Sequence, residues 1–359
     1  MLHSLKLLRC ITYSILFILV TAFTSCNGSN QDNATLEMQC PFLTLAATDS
    51  VDLDALDLVD VCDTKIIDSL HFFEHGRLPY KLSVWNKSSD QITPGVYKGQ
   101  GPDEVVQYIP VKSYRKDAYY YADRSKRKLF ASTIEKDSFL IKEIKRFDDS
   151  IGRFFRLIDL NKDVYISMGL YEEGRFSIYD KKTNTVTYSS TYPENDQIRK
   201  LTPIHKAALF ANSKVDINPN GKRFVVVDWG LLDIYKVNTN LTIQRIKSIY
   251  RHFPSFTLYS NGVSAIAYEK NQPVGFLDIA CTLEHLYLLY SDKTFENCKD
   301  SAYTSNLIHV YDWDGNQLSS FQTKQQLSSI SIQDTLLIGL NRLNNMLYYY
   351  KLGNLDYYD

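Results

Sequence analysis

Beyond residue 40, apolar positions recur every second residue over short runs and almost nowhere at the three-to-four spacing of a helix. The clearest runs are residues 82–86, 176–180, 232–236 and 308–312, with weaker copies at 128–130 and 346–350. All but the last run into a turn-forming cluster, such as Lys181-Lys182-Thr183-Asn184, and so read as arms of hairpins. A second short apolar strand precedes each, at 65–73, 118–122, 163–168, 223–228, 285–290 and 335–340. Taking Trp85, Phe130, Tyr179, Tyr235, Tyr311 and Tyr349 as anchors gives spacings of 45, 49, 56, 76 and 38 residues. Six such units, two stretched by insertions, predict an all-β, six-bladed β-propeller over residues 41–359. The alternative for many short strands is a β-sandwich, which six repeats and long insertions fit poorly.

The first forty residues break this pattern. Lys6 and Arg9 precede an apolar stretch over residues 10–23, and no acidic residue occurs before Asp32. A largely apolar stretch of fourteen residues makes a signal-peptide core and is short for a membrane span. The stretch ends in Phe23-Thr24-Ser25-Cys26 and then turns polar, which resembles a bacterial lipoprotein signal. That resemblance implies cleavage of residues 1–25, a lipid on Cys26, and a tether over 26–40. The expected location is the outer membrane, on its periplasmic or cell-surface face, reached through the lipid. Thr-Ser departs from the Gly or Ala such signals prefer just before the cysteine, and plain secretion with a free Cys26 and a retained membrane anchor are the alternatives.

Composition adds little except exclusions. Of 359 residues, 44% are apolar and 26 are tyrosine, which suits strands and a sizeable core. Forty basic against forty-one acidic residues leave a net charge of −1, so no basic surface points to nucleic acid. Cys40, Cys62, Cys281 and Cys298 follow Cys26 without C-x-x-C spacing. In an exported chain Cys40 and Cys62 are a possible disulfide tying down the N-terminal segment, with free thiols the equal alternative.

Gly99-Gln100-Gly101-Pro102-Asp103-Glu104, just after the first hairpin, resembles the G-x-G-P-x-E loop of TolB-like six-bladed propeller lipoproteins of anaerobic Gram-negative bacteria. The resemblance implies a lipid-anchored, monomeric propeller in which this loop joins the outer strand of one blade to the inner strand of the next. It brings no catalytic residues and no cofactor. Read directly, the glycines suit a tight strand exit and Pro102 stops further pairing; no Lys-Ser/Thr follows to make a phosphate cradle.

Propeller geometry then groups candidate ligand-binding residues. With strands A to D running from axis to rim, the B–C and D–A connections share one face. They carry Glu74, His75 and Arg77, then Asp103 and Glu104, then Asp123 and Arg124. Arg175, Asp228, Trp229, Asn341 and Arg342 follow from later blades. Residues 291–306 are expected to be the longest insertion and a flap over this face. His71-Phe72-Phe73-Glu74-His75 matches H-x-x-E-H, but its flanks read as strand and turn, so no metal site is expected. The aspartates of residues 49–63 lack a calcium loop's glycine and glutamate and read as a solvated linker or edge strand. Tyr119-Tyr120-Tyr121 and Tyr348-Tyr349-Tyr350 read as blade-packing aromatics. Asp-Ser/Thr-apolar triplets, including Asp300-Ser301-Ala302, resemble the O-glycosylation sites of some bacteria. The functional expectation is a non-enzymatic binding module for a protein, peptide or glycan partner, with an envelope hydrolase or lyase acting at the axial mouth as the alternative.

Overall fold

The computed structural model describes residues 43–135, 138–189, 192–259 and 266–353. The signal segment, Cys26, the tether and Cys40 lie outside them. Two short strands, β1 (Leu43–Leu45) and β2 (Asp49–Asp52), open the described chain. Blade 1 is β3 (Val61–Ile67), β4 (Leu70–His75), β5 (Tyr80–Asn86) and β6 (Gln91–Tyr97). Blade 2 is β7 (Tyr108–Ser113), β8 (Tyr119–Asp123), β9 (Lys128–Glu135) and β10 (Ser138–Arg146). Blade 3 is β11 (Phe154–Asp159), β12 (Val164–Gly169), β13 (Phe176–Asp180) and β14 (Val186–Ser189). Helices α1 (Asp196–Arg199) and α2 (Pro203–Leu209) precede blade 4, which is β15 (Lys214–Ile217), β16 (Arg223–Asp228), β17 (Leu231–Val237) and β18 (Ile243–Tyr250). A hairpin of β19 (Phe256–Leu258) and β20 (Ile266–Tyr268) leads into blade 5. Blade 5 is β21 (Pro273–Cys281), β22 (His285–Thr294), β23 (Ser305–Asp312) and β24 (Gln317–Leu327), with helix α3 (Phe295–Cys298) between its middle strands. Blade 6 takes β25 (Ser329–Gln333), β26 (Leu336–Asn341) and β27 (Met346–Lys351) from the end of the chain and β2 from its start.

Each expected hairpin is present, and the ring closes by a strand exchange that the repeats alone did not show. Residues 49–52 form the outer strand of blade 6, with Val51 opposite Leu347. Leu53 follows, fully buried, and its N–H donates to the Asn345 carbonyl at 3.1 Å. The aspartate-rich stretch is thus partly an edge strand, as its composition suggested. β1 adds outside blade 5, parallel to β24.

Six apolar clusters, one per blade interface, hold the ring. Tyr119 and Tyr121 pack toward blade 1, while Tyr120 and Ala122 pack toward blade 3. Phe224 and Val226 likewise face blade 3, and Val225 and Val227 face blade 5. The period of two explains why second strands look apolar throughout: both faces are covered. Each such side chain contributes on the order of 1.5–3 kcal/mol. Trp85, Phe130, Tyr179, Tyr235 and Tyr311 all face the preceding blade. Tyr349 is out of step: it faces blade 1, and its neighbour Tyr350, opposite Leu337, fills the anchor position toward blade 5.

Two further corrections concern lengths. The unit at 65–73 spans the A–B turn at Asp68-Ser69 and so covers parts of β3 and β4. The longest connections are 190–213 and 251–272, not 291–306; with their own apolar cluster around Phe210, Leu231 and Phe256 they account for the stretched spacings. Among the described residues no helix is long and apolar enough to cross a membrane.

Leu53→Ala, at the closure, is expected to cost about 2–4 kcal/mol. A lower urea midpoint at unchanged slope would register it. Leu140→Ala, at a half-exposed rim position, should change stability by less than about 0.5 kcal/mol.

Candidate functional site

The inner strands bring charged side chains to the axis. A cavity of about 670 Å³ runs into the ring from the A–B turns, whose rim holds Asp68, Lys116, Glu284 and Asp334. Its walls come from the inner strands of blades 1, 2, 4, 5 and 6; none of its lining residues belongs to β11. β11 instead pairs in parallel with β7, Leu157 opposite Val111, which joins blades 2 and 3 into one eight-stranded sheet.

Deep in this cavity the charges are unevenly matched. Lys112 of β7 reaches Asp216 of β15 at 3.9 Å. Burial works against its charge, yet Asp216, Asp63 and Asp278 hold its pKa above the ordinary lysine value. Lys65 of β3 lies 6.0 Å from the Tyr119 ring centroid and forms no ion pair among the described residues. Burial, reinforced by the like charge of Lys112, lowers its pKa to about 8. On the same face of blade 1, burial and then the neighbouring Asp63 raise Glu74 to about 7, against the Tyr119 hydroxyl that donates to it. Tyr108 in turn donates to Tyr119 at 3.0 Å.

A second cavity, about 550 Å³, opens on the B–C and D–A face over blades 4 and 5. Asp228 and Trp229 line it with the long connections, and Phe295 and Tyr303 bring the 291–306 insertion to its edge. Below it, buried Arg175 donates to Asp228 at 2.6 Å, to Asp233 at 3.0 Å and to the Tyr235 hydroxyl at 2.9 Å. Burial raises Asp228 to about 7 even beside that guanidinium. The knot ties blade 3 to blade 4.

The structure does not gather the twelve candidates into one site. Glu74 lies in the lower cavity; Asp228 and Trp229 line the upper one, with Arg175 beneath them. His75 is buried, its ring nitrogens engaged by the Val59 carbonyl at 3.0 Å and the Ser83 hydroxyl at 2.8 Å. Asp123 is buried as well and accepts from the backbone of Val106, Gln107, Ser125 and Lys126, which fastens the blade 1–2 connection. Arg124 bonds Gln107 and lies over the Phe155 ring. Asn341 folds a turn by accepting from Leu343. Arg77 and Arg342 are exposed at that face, the latter 3.7 Å from the Cys62 sulfur. Among the described residues Cys62, Cys281 and Cys298 form no disulfide with one another, and the Cys40–Cys62 pairing falls outside them.

The Gly99–Glu104 loop joins β6 to β7, where it was expected. The Glu104 carboxylate accepts from the Gly101 N–H at 2.8 Å, and Lys126 donates to the carbonyls of Gly101 (2.6 Å) and Glu104 (2.7 Å). Gly99 has φ +156°, a conformation side-chain-bearing residues rarely adopt, and a Cβ there would also press on the Glu104 carboxylate. Exposed Asp103 takes no part. The H-x-x-E-H residues lie on β4, an extended strand: His71 stands against Trp85 and Tyr349, and Glu74 points to the other side. The charged cavity residues Lys65, Lys112 and Asp216, absent from the sequence-derived candidates, share one signal: charged positions within short inner strands of otherwise apolar character.

The chain belongs to the TolB-like 6-blade propeller-like family, whose model matches residues 63–335. No curated protein matches it. Among solved structures it is similar to the β-propeller domain of Cps50 (Swd1) from Myceliophteria thermophila. That likeness covers 82% of this chain and 97% of that one, at 9% identity and a TM-score of 0.41, and no conclusion is drawn from it. A propeller of this class is a scaffold suited to protein interaction.

Because Glu74 is held above its unfolded value, its proton stabilises the fold below about pH 4.5. That contribution is lost as pH rises through about 7, since unfolded chains shed the proton first. Glu74→Gln should therefore gain stability over the native protein at pH 8 and gain less at pH 5, measured by urea midpoints at both.

Proposed function

We propose that this chain is a non-enzymatic binding module of the cell envelope, held there by lipid on Cys26, which receives a protein or peptide segment in the axial cavity at its A–B face. The observation that supports this reading is the cavity itself, a space of about 670 Å³ lined by charges of both signs on a closed ring. Its volume falls in the range of about 300–1,000 Å³ usual for ligand pockets. Mixed charges suit a polypeptide, which carries ammonium, guanidinium and carboxylate groups along one backbone. They suit a neutral glycan less, because it brings no charge to answer them. Recognition by turns on a rigid scaffold leaves the ring unchanged while its rim varies.

Capture from envelope membranes with the purified full-length protein tests the site. Lys116→Glu and Asp334→Lys, on the rim, should reduce recovery of a specific partner roughly tenfold, about 1.4 kcal/mol. Asp103→Lys, on the opposite face, should leave recovery unchanged. The reverse pattern would place binding on the other face, and absence of any specific partner would reject the module. For the anchor, Cys26→Ala should shift the protein from the membrane to the soluble fraction.

A further inference from the structure

We propose that the axial cavity takes a ligand ending in a carboxylate, seated on the Lys65 ammonium, with a cationic group of the same ligand held at the rim by Asp68, Glu284 and Asp334. This rests on the reading of the cavity as the binding site and names the chemistry it selects. Lys65 lines the cavity from β3 and forms no ion pair among the described residues, with Asp216 and Glu74 acting on it only from beyond ion-pair distance, whereas Lys112 faces Asp216 and Arg115 reaches Asp159 at 2.7 Å. An ammonium lining a cavity with no carboxylate in contact can take one up, and a carboxylate entering along the axis supplies the charge-assisted hydrogen bond. One negative charge suffices. A phosphate would bring a second into a space already containing Asp63, Glu74 and Asp216, which disfavours it. At the entrance the balance reverses: Asp68, Glu284 and Asp334 are exposed there against Lys116. The two turns of blades 1 and 6 are held together, with Gln333 donating to the Asp68 carbonyl at 3.3 Å. A ligand whose end is anionic and whose next residue is cationic matches both levels. A peptide carboxyl terminus with a basic residue just before its last position has this form.

The probe is N-acetyl-Ala-Arg-Ala, as the free acid and as the carboxyl-terminal amide. With the full-length protein at pH 8, trace acetic anhydride is applied and acetylation of each lysine is read by peptide mass mapping. Exposed Lys162 serves as the internal control. Millimolar free acid is expected to slow Lys65 acetylation severalfold without affecting Lys162, and the amide to leave both unchanged. In a Lys65→Met protein, shown by its unfolding midpoint to be folded, saturation-transfer signals of the free acid should disappear. Equal protection by acid and amide would overturn the carboxylate assignment while leaving axial peptide binding in place. Protection by neither, or undiminished saturation transfer with Lys65→Met, would overturn it as well. Partner capture by the rim variants judges axial binding separately.

Discussion

Mutual burial of two-sided sheets is the constraint from which the rest of this protein follows. A four-stranded blade with Val and Tyr on both faces has no stable existence in water, because one face always remains exposed. Six blades solve this only as a closed ring, with an apolar cluster at each of six seams. Closure is therefore not an ornament of the fold. The outer strand of the last blade comes from the beginning of the chain, so backbone hydrogen bonds inside blade 6 anchor the segment that leads into blade 1, and packing closes the seam between the two.

Closure also creates the axis, a place where inner strands converge and apolar packing ends. Charged residues can stand there because solvent reaches them along the channel, yet protein surrounds them closely enough to move their titration. Lys65 and Glu74 are both pushed toward neutrality, from opposite directions and chiefly by burial. The buried knot of Arg175 with Asp228 and Asp233 handles the same difficulty by pairing, in a seam rather than in the channel. One solution consumes the charges in structure; the other leaves one of them available.

Much of the fold was legible because a period of two with aromatic anchors survives in every blade. Where it misled, the reason is local. Tyr348, Tyr349 and Tyr350 are chemically alike, so periodicity alone could not say which ring faced backward; the pairing with Leu337 decides for Tyr350. The site was less legible. Asp123, Asn341 and Glu104 attracted notice as polar loop residues, but their side chains fold the loops they sit in. The residues that matter at the axis, such as Lys65 within Val61–Ile67, lie inside strands, where a lone charge in a half-apolar run looks like solvent-facing alternation.

The parallel pairing of β7 with β11 has a mechanical meaning. A seam made only of side chains can slide or gape a little, whereas one stitched by backbone hydrogen bonds resists both. Blades 2 and 3 thus form a stiff double plate, and breathing of the pore falls on the seams held mainly by side-chain packing. A guest pressing on the Lys112 side would meet this plate as an anvil, with compliance supplied from across the ring.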